Sequence, residues 1–276
     1  MPIIDVSSVR ARLDGDPDRT VVCDVRSTMG GADPATGFAA GHVPGAVLVV
    51  LDDVLATAPS GTDGRHPLPT PAAFASALGA LGIGDDDTVV AYDDRGGALA
   101  ARLVWMLRVI GRPAFLLDGG VAEWDGEIES GPGRPRPGVA RAAVDWPDDA
   151  VADADAVSEH VRAGGVVIDS REAARYTGAI EPIDAVAGHV PGAINLPFAD
   201  NLGANGRFRS PTELAARFAP AAADDAPIVY CGSGVTACHN ALAMEHAGLG
   251  LPRVYVGSWS GWTADPDRPI ATGDEP

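Results

Sequence analysis

Short apolar runs rich in β-branched residues recur along the chain in two matched sets. The first covers residues 21–25, 47–51, 89–92 and 114–117, and the second 166–169, 193–196, 228–230 and 253–256. Runs this short, without alternation and bounded by polar or glycine-rich turns, predict strands buried on both faces. Between them lie segments with helical spacing, such as TPAAFASALGALGI and SPTELAARFAPAA. Each opens on Thr or Ser followed by Pro. The hydroxyl can cap the first free N–H groups, and a first-turn proline gives up no helical hydrogen bond. Strands alternating with helices predict an α/β fold, a parallel sheet with helices on both faces. In such sheets ligands collect at the carboxyl ends of the strands.

The two sets are related by duplication. AGHVPGA stands at 40–46 and again, identically, at 187–193. VVCDVR (21–26) parallels VVIDSR (166–171), VVAYDD (89–94) parallels PIVYCG (227–232), and DGGVAEW (118–124) parallels VGSWSGW (256–262). Four landmarks in one order predict two tandem domains of one fold. The length of 276 residues suits two such domains. The expected division is 1–130, a linker at 131–147, and 148–276. The linker is read from the Pro, Gly and Arg content of GEIESGPGRPRPGVARAAVDWP.

The matched landmarks differ at one chemically decisive place. In the second half the strand APIVY runs into Cys231-Gly232-Ser233-Gly234-Val235-Thr236 and then a helical segment. A glycine-bearing loop that enters a helix can turn successive N–H groups inward as an anion nest. A thiol at its centre is expected to ionise more readily than free cysteine, whose pKa is about 8.5. In the first half Asp93 stands where Cys231 stands. An aspartate cannot be a sulfur nucleophile, so only the second copy is expected to be chemically active.

Composition narrows the picture. Every one of the 20 basic residues is arginine, and the formal net charge is −18. Such a surface repels nucleic acid and anionic membranes. A small anionic substrate would need a local arginine, helped by screening over roughly 8–10 Å. No apolar run approaches the ~18 residues of a membrane span, and the first residues do not read as a signal peptide. Three cysteines, Cys23, Cys231 and Cys238, are too few and too odd in number for a disulfide framework. A reducing cytoplasm is the expected location. The spacing of Cys231, Cys238, His239 and His246 does not match a zinc site, and the reading calls for no metal or cofactor.

Twin domains carrying D-x-R, then G-H-x-P-G-A, then a strand ending in Cys, then a G-S-W or D-G-G element resemble the two-domain rhodanese family of sulfurtransferases. FAAGHVPGA, with Phe38 before His42, is similar to that family's first signature. The loop C-G-S-G-V-T resembles the mercaptopyruvate branch, whereas thiosulfate-branch loops read C-R-K-G-V-T. The resemblance implies that Cys231 takes sulfur from 3-mercaptopyruvate as a persulfide and releases pyruvate. The remaining loop residues, Gly232, Gly234, Val235 and Thr236, would hold the anion. A thiol or cyanide acceptor would then accept the sulfur, the thiol being that of a thioredoxin-like protein or a low-molecular-weight thiol. Ser233, His66 (in RHPLP) and Asp52, with Asp53 adjacent, match the family's Ser-His-Asp relay, and the resemblance sets that relay in a cleft between domains. Arg175 matches the arginine that grips the substrate carboxylate. One departure stands out, because the mercaptopyruvate branch carries a second arginine after E-P, and here that position is Ile183. Ile183 resembles the thiosulfate branch, so thiosulfate:cyanide sulfurtransfer is the alternative. Arg171 is expected to pair with Asp169.

Other readings are weaker. His42 and His189 recur in both halves and are expected to be structural, Cys238 to be a packed side chain, and Trp259 and Trp262 to be core or cleft wall. A cysteine phosphatase needs an arginine six residues beyond its cysteine, where this chain has Ala237. A sulfur carrier or redox-sensing module without turnover remains the alternative of another class.

Overall fold

A computed structural model describes residues 1–31 and 33–276. The chain divides into two compact units, one formed by residues 1–57 and 68–146, the other by 58–67 and 147–276. In the first unit the strands are β1 (Ile3–Ile4), β2 (Thr20–Arg26), β3 (Val47–Val50), β4 (Thr88–Tyr92) and β5 (Ala114–Leu117). They form one parallel sheet in the order β1-β5-β4-β2-β3, accompanied by helices α1 (Val6–Gly15), α2 (Pro34–Ala40), α3 (Pro71–Ala80) and α4 (Ala100–Val109). The second unit repeats the plan with β6 (Val151–Ala152), β7 (Val167–Asp169), β8 (Ala193–Asn195), β9 (Ile228–Tyr230) and β10 (Arg253–Tyr255). Its order is β6-β10-β9-β7-β8, again parallel, with helices α5 (Ala154–Arg162), α6 (Ala173–Tyr176), α7 (Pro211–Arg217), α8 (Ala237–His246) and α9 (Ser258–Trp262). The strands expected from apolar runs are present within a residue or so at each end. The edge strands β1 and β6 are two residues each, too short for a run to announce them.

The helix starts follow local chemistry. Thr70 Oγ1 accepts the Ala73 N–H ahead of α3, and Ser210 and Glu213 exchange hydrogen bonds as a capping box ahead of α7. The core of the second unit gathers Val157, Val167, Ile228, Tyr230, Trp259 and Trp262, all buried. The two tryptophans expected in core or cleft wall are therefore core, each worth ~3–5 kcal/mol against alanine.

The duplicated D-x-R and G-H-x-P-G-A elements form the same buried knot in each unit. Arg26 forks onto Asp24 at 2.9–3.0 Å and reaches Gly41 O; Arg171 forks onto Asp169 at 2.6–3.1 Å and reaches Gly188 O at 2.7 Å. The Tyr92 hydroxyl accepts from Val43 N–H, and the Tyr230 hydroxyl from Val190 N–H. His42 donates through Nδ1 to Phe38 O and stacks on Phe38 at 3.7 Å. His189 does the same with Tyr176 O and the Tyr176 ring, also at 3.7 Å. Both histidines are fully buried, so their repeated role is structural.

Residues 126–146 run along the first unit. Gly131 N–H bonds Ala39 O, and Val139 N–H bonds Gly79 O. Arg136 Nε bonds Gly82 O, and Trp146 Nε1 bonds Pro69 O. A proline-rich strap has few backbone donors, and its arginines supply donors instead. The second unit is strapped alike by the C-terminal segment, where His189 and Ala271 exchange backbone hydrogen bonds as His42 and Glu129 do.

Asp93 shows what the loop after the central strand does. Its Oδ1 accepts the N–H groups of Arg95 and Gly97, each at 2.8 Å. Its Oδ2 accepts those of Leu99 at 2.7 Å and Ala100 at 2.9 Å. The carboxylate is fully buried. The first unit therefore carries an anion cradle filled by its own side chain. Asp93→Ala strands these donors and is expected to cost about 3 kcal/mol, with Asp93→Asn costing less. Urea titration read at Trp105 and Trp124 checks it, and an alanine variant of unchanged midpoint would refute the cradle.

Candidate active site

The second unit's equivalent loop holds a thiol. Cys231 follows β9, the central strand, and is 2 % exposed. Gly234 N–H points at Sγ from 3.1 Å and Ser233 N–H from 3.5 Å. Two backbone N–H groups are thus aimed at the sulfur. Gly234 adopts φ +76°, and a Cβ there would meet Val256 O at 2.4 Å, so only glycine fits. Val235 and Thr236 lead into α8, where their carbonyls accept the first helical N–H groups at 3.2 Å.

Beneath the loop lies a serine that sequence reasoning passed over. Ser258 Oγ accepts Cys231 N–H at 3.1 Å and donates to Tyr255 O at 2.9 Å. Its hydroxyl hydrogen is thereby committed, and Sγ stands 4.0 Å away. Ser258 has φ +53°, unusual for a residue with a side chain. The duplication aligns it with Gly120, whose φ is +63°. Val121 N–H bonds Asp93 O, as Trp259 N–H bonds Cys231 O. The signal was available in the repeat, where DGG in one half stands against VGS in the other. The second unit accepts backbone strain here and gains a hydroxyl under Cys231.

Residues 58–67 belong to this unit. Arg65 N–H bonds Ser260 Oγ at 3.0 Å, and Ser260 N–H bonds Gly232 O at 3.0 Å. The segment ending in His66 is thus stitched to the Cys231 loop, with His66 half-buried. Above Gly232 lie two guanidiniums. A Cβ at Gly232 would meet Arg65 Nη2 at 3.0 Å and Arg175 Nη atoms at 3.4 Å. Arg175, on α6, pairs through Nε with Glu181 at 3.1 Å and through Nη2 with Asp184 at 2.9 Å. Arg65 pairs with the other oxygen of Asp184. Glu181 also accepts from Arg171 and from the Ile183 and Asp184 N–H groups. Burial opposes its charge, but hydrogen bonds from Arg175 and the backbone outweigh burial and hold its pKa low. Burial raises the pKa of Asp184, with Glu181 adding to it and Arg65 opposing it.

The sequence-derived residues divide between the units. Cys231, Gly232, Ser233, Gly234, Arg175 and His66 come together in the second. Asp52 lies in the first, where its Oδ2 accepts Thr28 N–H at 3.0 Å, Thr28 Oγ1 at 2.8 Å and Ser27 Oγ at 3.4 Å. Asp53 is exposed. Arg171 is bound to Asp169 as expected. Cys238 is buried, its thiol bonded to Gly234 O at 3.4 Å. Ile183 is exposed.

The profile of the rhodanese-like domain matches residues 5–127 and again 153–265. The chain belongs to the rhodanese family. Among rhodanese relatives, a Pseudomonas aeruginosa protein described as "Probable 3-mercaptopyruvate sulfurtransferase" is 42% identical over 99% of this chain and 98% of its own length. The thiosulfate sulfurtransferase of Mus musculus is 36% identical, covering 84% of this chain and 81% of its own. The crystal structure of SseA from Escherichia coli, described as showing the rhodanese fold of 3-mercaptopyruvate sulfotransferases, superposes with a TM-score of 0.80. It is 30% identical and covers 94% of this chain and 99% of its own. Among the described residues, no helix is long and apolar enough to cross a membrane.

The geometry at Ser258 separates two substitutions. Ser258→Gly loses two hydrogen bonds, about 1 kcal/mol each, but relieves about 1 kcal/mol of backbone strain. Ser258→Ala keeps the strain and loses the same two bonds, so it is expected to be the less stable of the two by about 1 kcal/mol. Parallel thermal melts decide it, and equal midpoints would count against the strained-backbone reading.

Proposed function

We propose that this chain is a sulfurtransferase that takes sulfur from 3-mercaptopyruvate through a persulfide on Cys231. The observation that carries the proposal is a buried cysteine at the end of the central strand, facing N–H donors, beneath two arginines. The Cys231 thiolate attacks the thiol sulfur of the donor. The donor's C–S bond breaks, and its electron pair moves onto carbon as the enolate of pyruvate. That enolate takes up a proton, and the transferred sulfur stays on Cys231 as a persulfide. An acceptor thiolate then attacks the outer sulfur and leaves with it, and Cys231 returns to thiolate.

The first unit supports the assignment by analogy. The outer sulfur of a Cys231 persulfide stands as many bonds from the backbone as the carboxylate oxygens of Asp93. Those oxygens collect four N–H groups. The matching positions around Cys231 are Ser233, Val235, Ala237 and Cys238; Cys238 N–H is engaged by Val235 O at 3.2 Å, which leaves the N–H groups of Ser233, Val235 and Ala237 as the donors proposed for a charge one atom beyond Sγ. Ser233 and His66 are the proton-handling pair of the proposal, and Arg175 holds the donor carboxylate. The acceptor is a low-molecular-weight thiol or a thioredoxin-like protein, and the location is cytoplasmic.

Thiosulfate is the second reading. It is favoured by Ile183 at the position of the mercaptopyruvate branch's second arginine and by the 36% identity to a thiosulfate sulfurtransferase. The two donors are compared side by side, as pyruvate release from 3-mercaptopyruvate and as thiocyanate from thiosulfate plus cyanide. The expected result is faster turnover of mercaptopyruvate and none in Cys231→Ser. Preference for thiosulfate would transfer the assignment to the second reading, and inactivity with both would leave a sulfur carrier.

A further inference from the structure

We infer that Arg65 is a second donor-binding cation of this site, and that Asp184 is an internal counter-anion which the donor's carboxylate displaces. The inference rests on the proposed reading that the donor is a small carboxylate. Three observations carry it.

First, Arg65 and Arg175 converge on one spot. Both guanidiniums stand within 3.4 Å of the vacant Cβ position of Gly232, the residue after the nucleophile. A side chain at 232 would occupy the space that their nitrogens face. Second, Arg65 replaces what the local sequence lacks. The position after Glu181-Pro182 is Ile183, and its side chain is exposed. The second guanidinium comes instead from a segment more than a hundred residues earlier, fixed by Arg65 N–H to Ser260 Oγ at 3.0 Å. Gly64 makes that path possible: with φ +81°, it lies so close to Gly257 that a Cβ would stand 2.3 Å from Gly257 O.

Third, the two arginines share one carboxylate. Asp184 gives one oxygen to Arg65 and the other to Arg175. Its side chain is 5% exposed, whereas that of Arg65 is 34% exposed. A carboxylate bridging two guanidiniums occupies the same kind of fork that a 2-oxo acid would use. Burial and Glu181 make Asp184 the less firmly held anion of the pair, for its pKa lies above the ordinary range while that of Glu181 lies below it. Glu181 therefore keeps Arg175 oriented, and Asp184 is the group that yields.

The test reads anion binding beside the sulfur independently of turnover. Cys231 is alkylated with iodoacetate and with iodoacetamide, a charged and a neutral reagent, and labelling at Cys231 is followed by peptide mass spectrometry. In Arg65→Gln the iodoacetate rate relative to iodoacetamide is expected to fall about tenfold, the scale of one charge-assisted hydrogen bond. KM for 3-mercaptopyruvate is expected to rise by a similar factor, roughly, with a much smaller change in kcat. Arg65→Lys restores part of both. Asp184→Asn moves the ratio the opposite way, because Arg65 then loses its counter-anion and Arg175 keeps only Glu181. An unchanged alkylation ratio in Arg65→Gln overturns the inference, even where mercaptopyruvate is turned over. A lowered ratio in a protein that ignores mercaptopyruvate keeps the anion site and removes the mercaptopyruvate reading instead.

Discussion

The buried ion pair of Asp169 and Arg171 is the constraint on which the second unit depends. Both side chains are withdrawn from water, which would be costly for either alone. Burial works against the charge of Arg171, but Asp169 outweighs it and keeps the guanidinium firmly protonated. From that point Arg171 reaches Gly188 O in the G-H-x-P-G-A turn and Glu181 beside Arg175. It also lies over the Trp259 ring at 4.7 Å. Trp259 N–H holds Cys231 O, and Tyr230, the residue before the nucleophile, has its hydroxyl in the same knot. One cation thus fixes the strand end, the turn, the α9 start and the Glu181 carboxylate that orients Arg175. Removing one partner of such a pair costs about 3–5 kcal/mol in general. Here it would also release the loop that aims N–H groups at sulfur.

The same knot exists around Asp24 and Arg26, where no nucleophile follows. The duplication therefore separates scaffold from chemistry within one molecule. Both copies bend the chain after the central strand and gather N–H groups on an anionic position. One copy closes that position with Asp93, and the other leaves it to Cys231. The substitutions that accompany the change are local. Gly120 becomes Ser258, which puts a hydroxyl under the Cys231 N–H. The second carboxylate beside the buried arginine also differs, for Arg171 hydrogen-bonds Glu181 at 3.3 Å whereas Arg26 lies 3.8 Å from Asp94.

Much of this was legible in the sequence. The apolar runs and their helical intervals specified the α/β class, because buried parallel strands cannot hide their composition. The repeat specified two domains and the matched places of Asp93 and Cys231 in their loops. The Pro-Ser-Thr caps were equally readable, since capping is decided within four residues. Three things were not. The two-residue edge strands carry no pattern of their own and pair only because a neighbour offers free backbone groups. The segment read as a linker folds along the first unit, and its arginines replace donors that proline lacks. Composition signals the missing donors and not the replacement. Arg65 was invisible because it acts from a segment that, in sequence, lies inside the first domain.

The anionic surface sharpens the question of how such a protein holds an anionic donor. The site does not answer it with net positive charge, for Arg65, Arg171 and Arg175 are matched by Asp169, Glu181 and Asp184. A neutral cluster adds little to long-range steering, and screening over roughly 8–10 Å removes most of the global repulsion in any case. Discrimination then rests on geometry at short range. A carboxylate that can enter the fork and exchange with Asp184 gains two directed guanidinium contacts, while a cation or a neutral ligand meets a cluster already satisfied by its own acids. Arrangement in this form favours a donor with a planar carboxylate next to a sulfur. It does so without an exposed basic patch that would draw the many other anions of the surroundings.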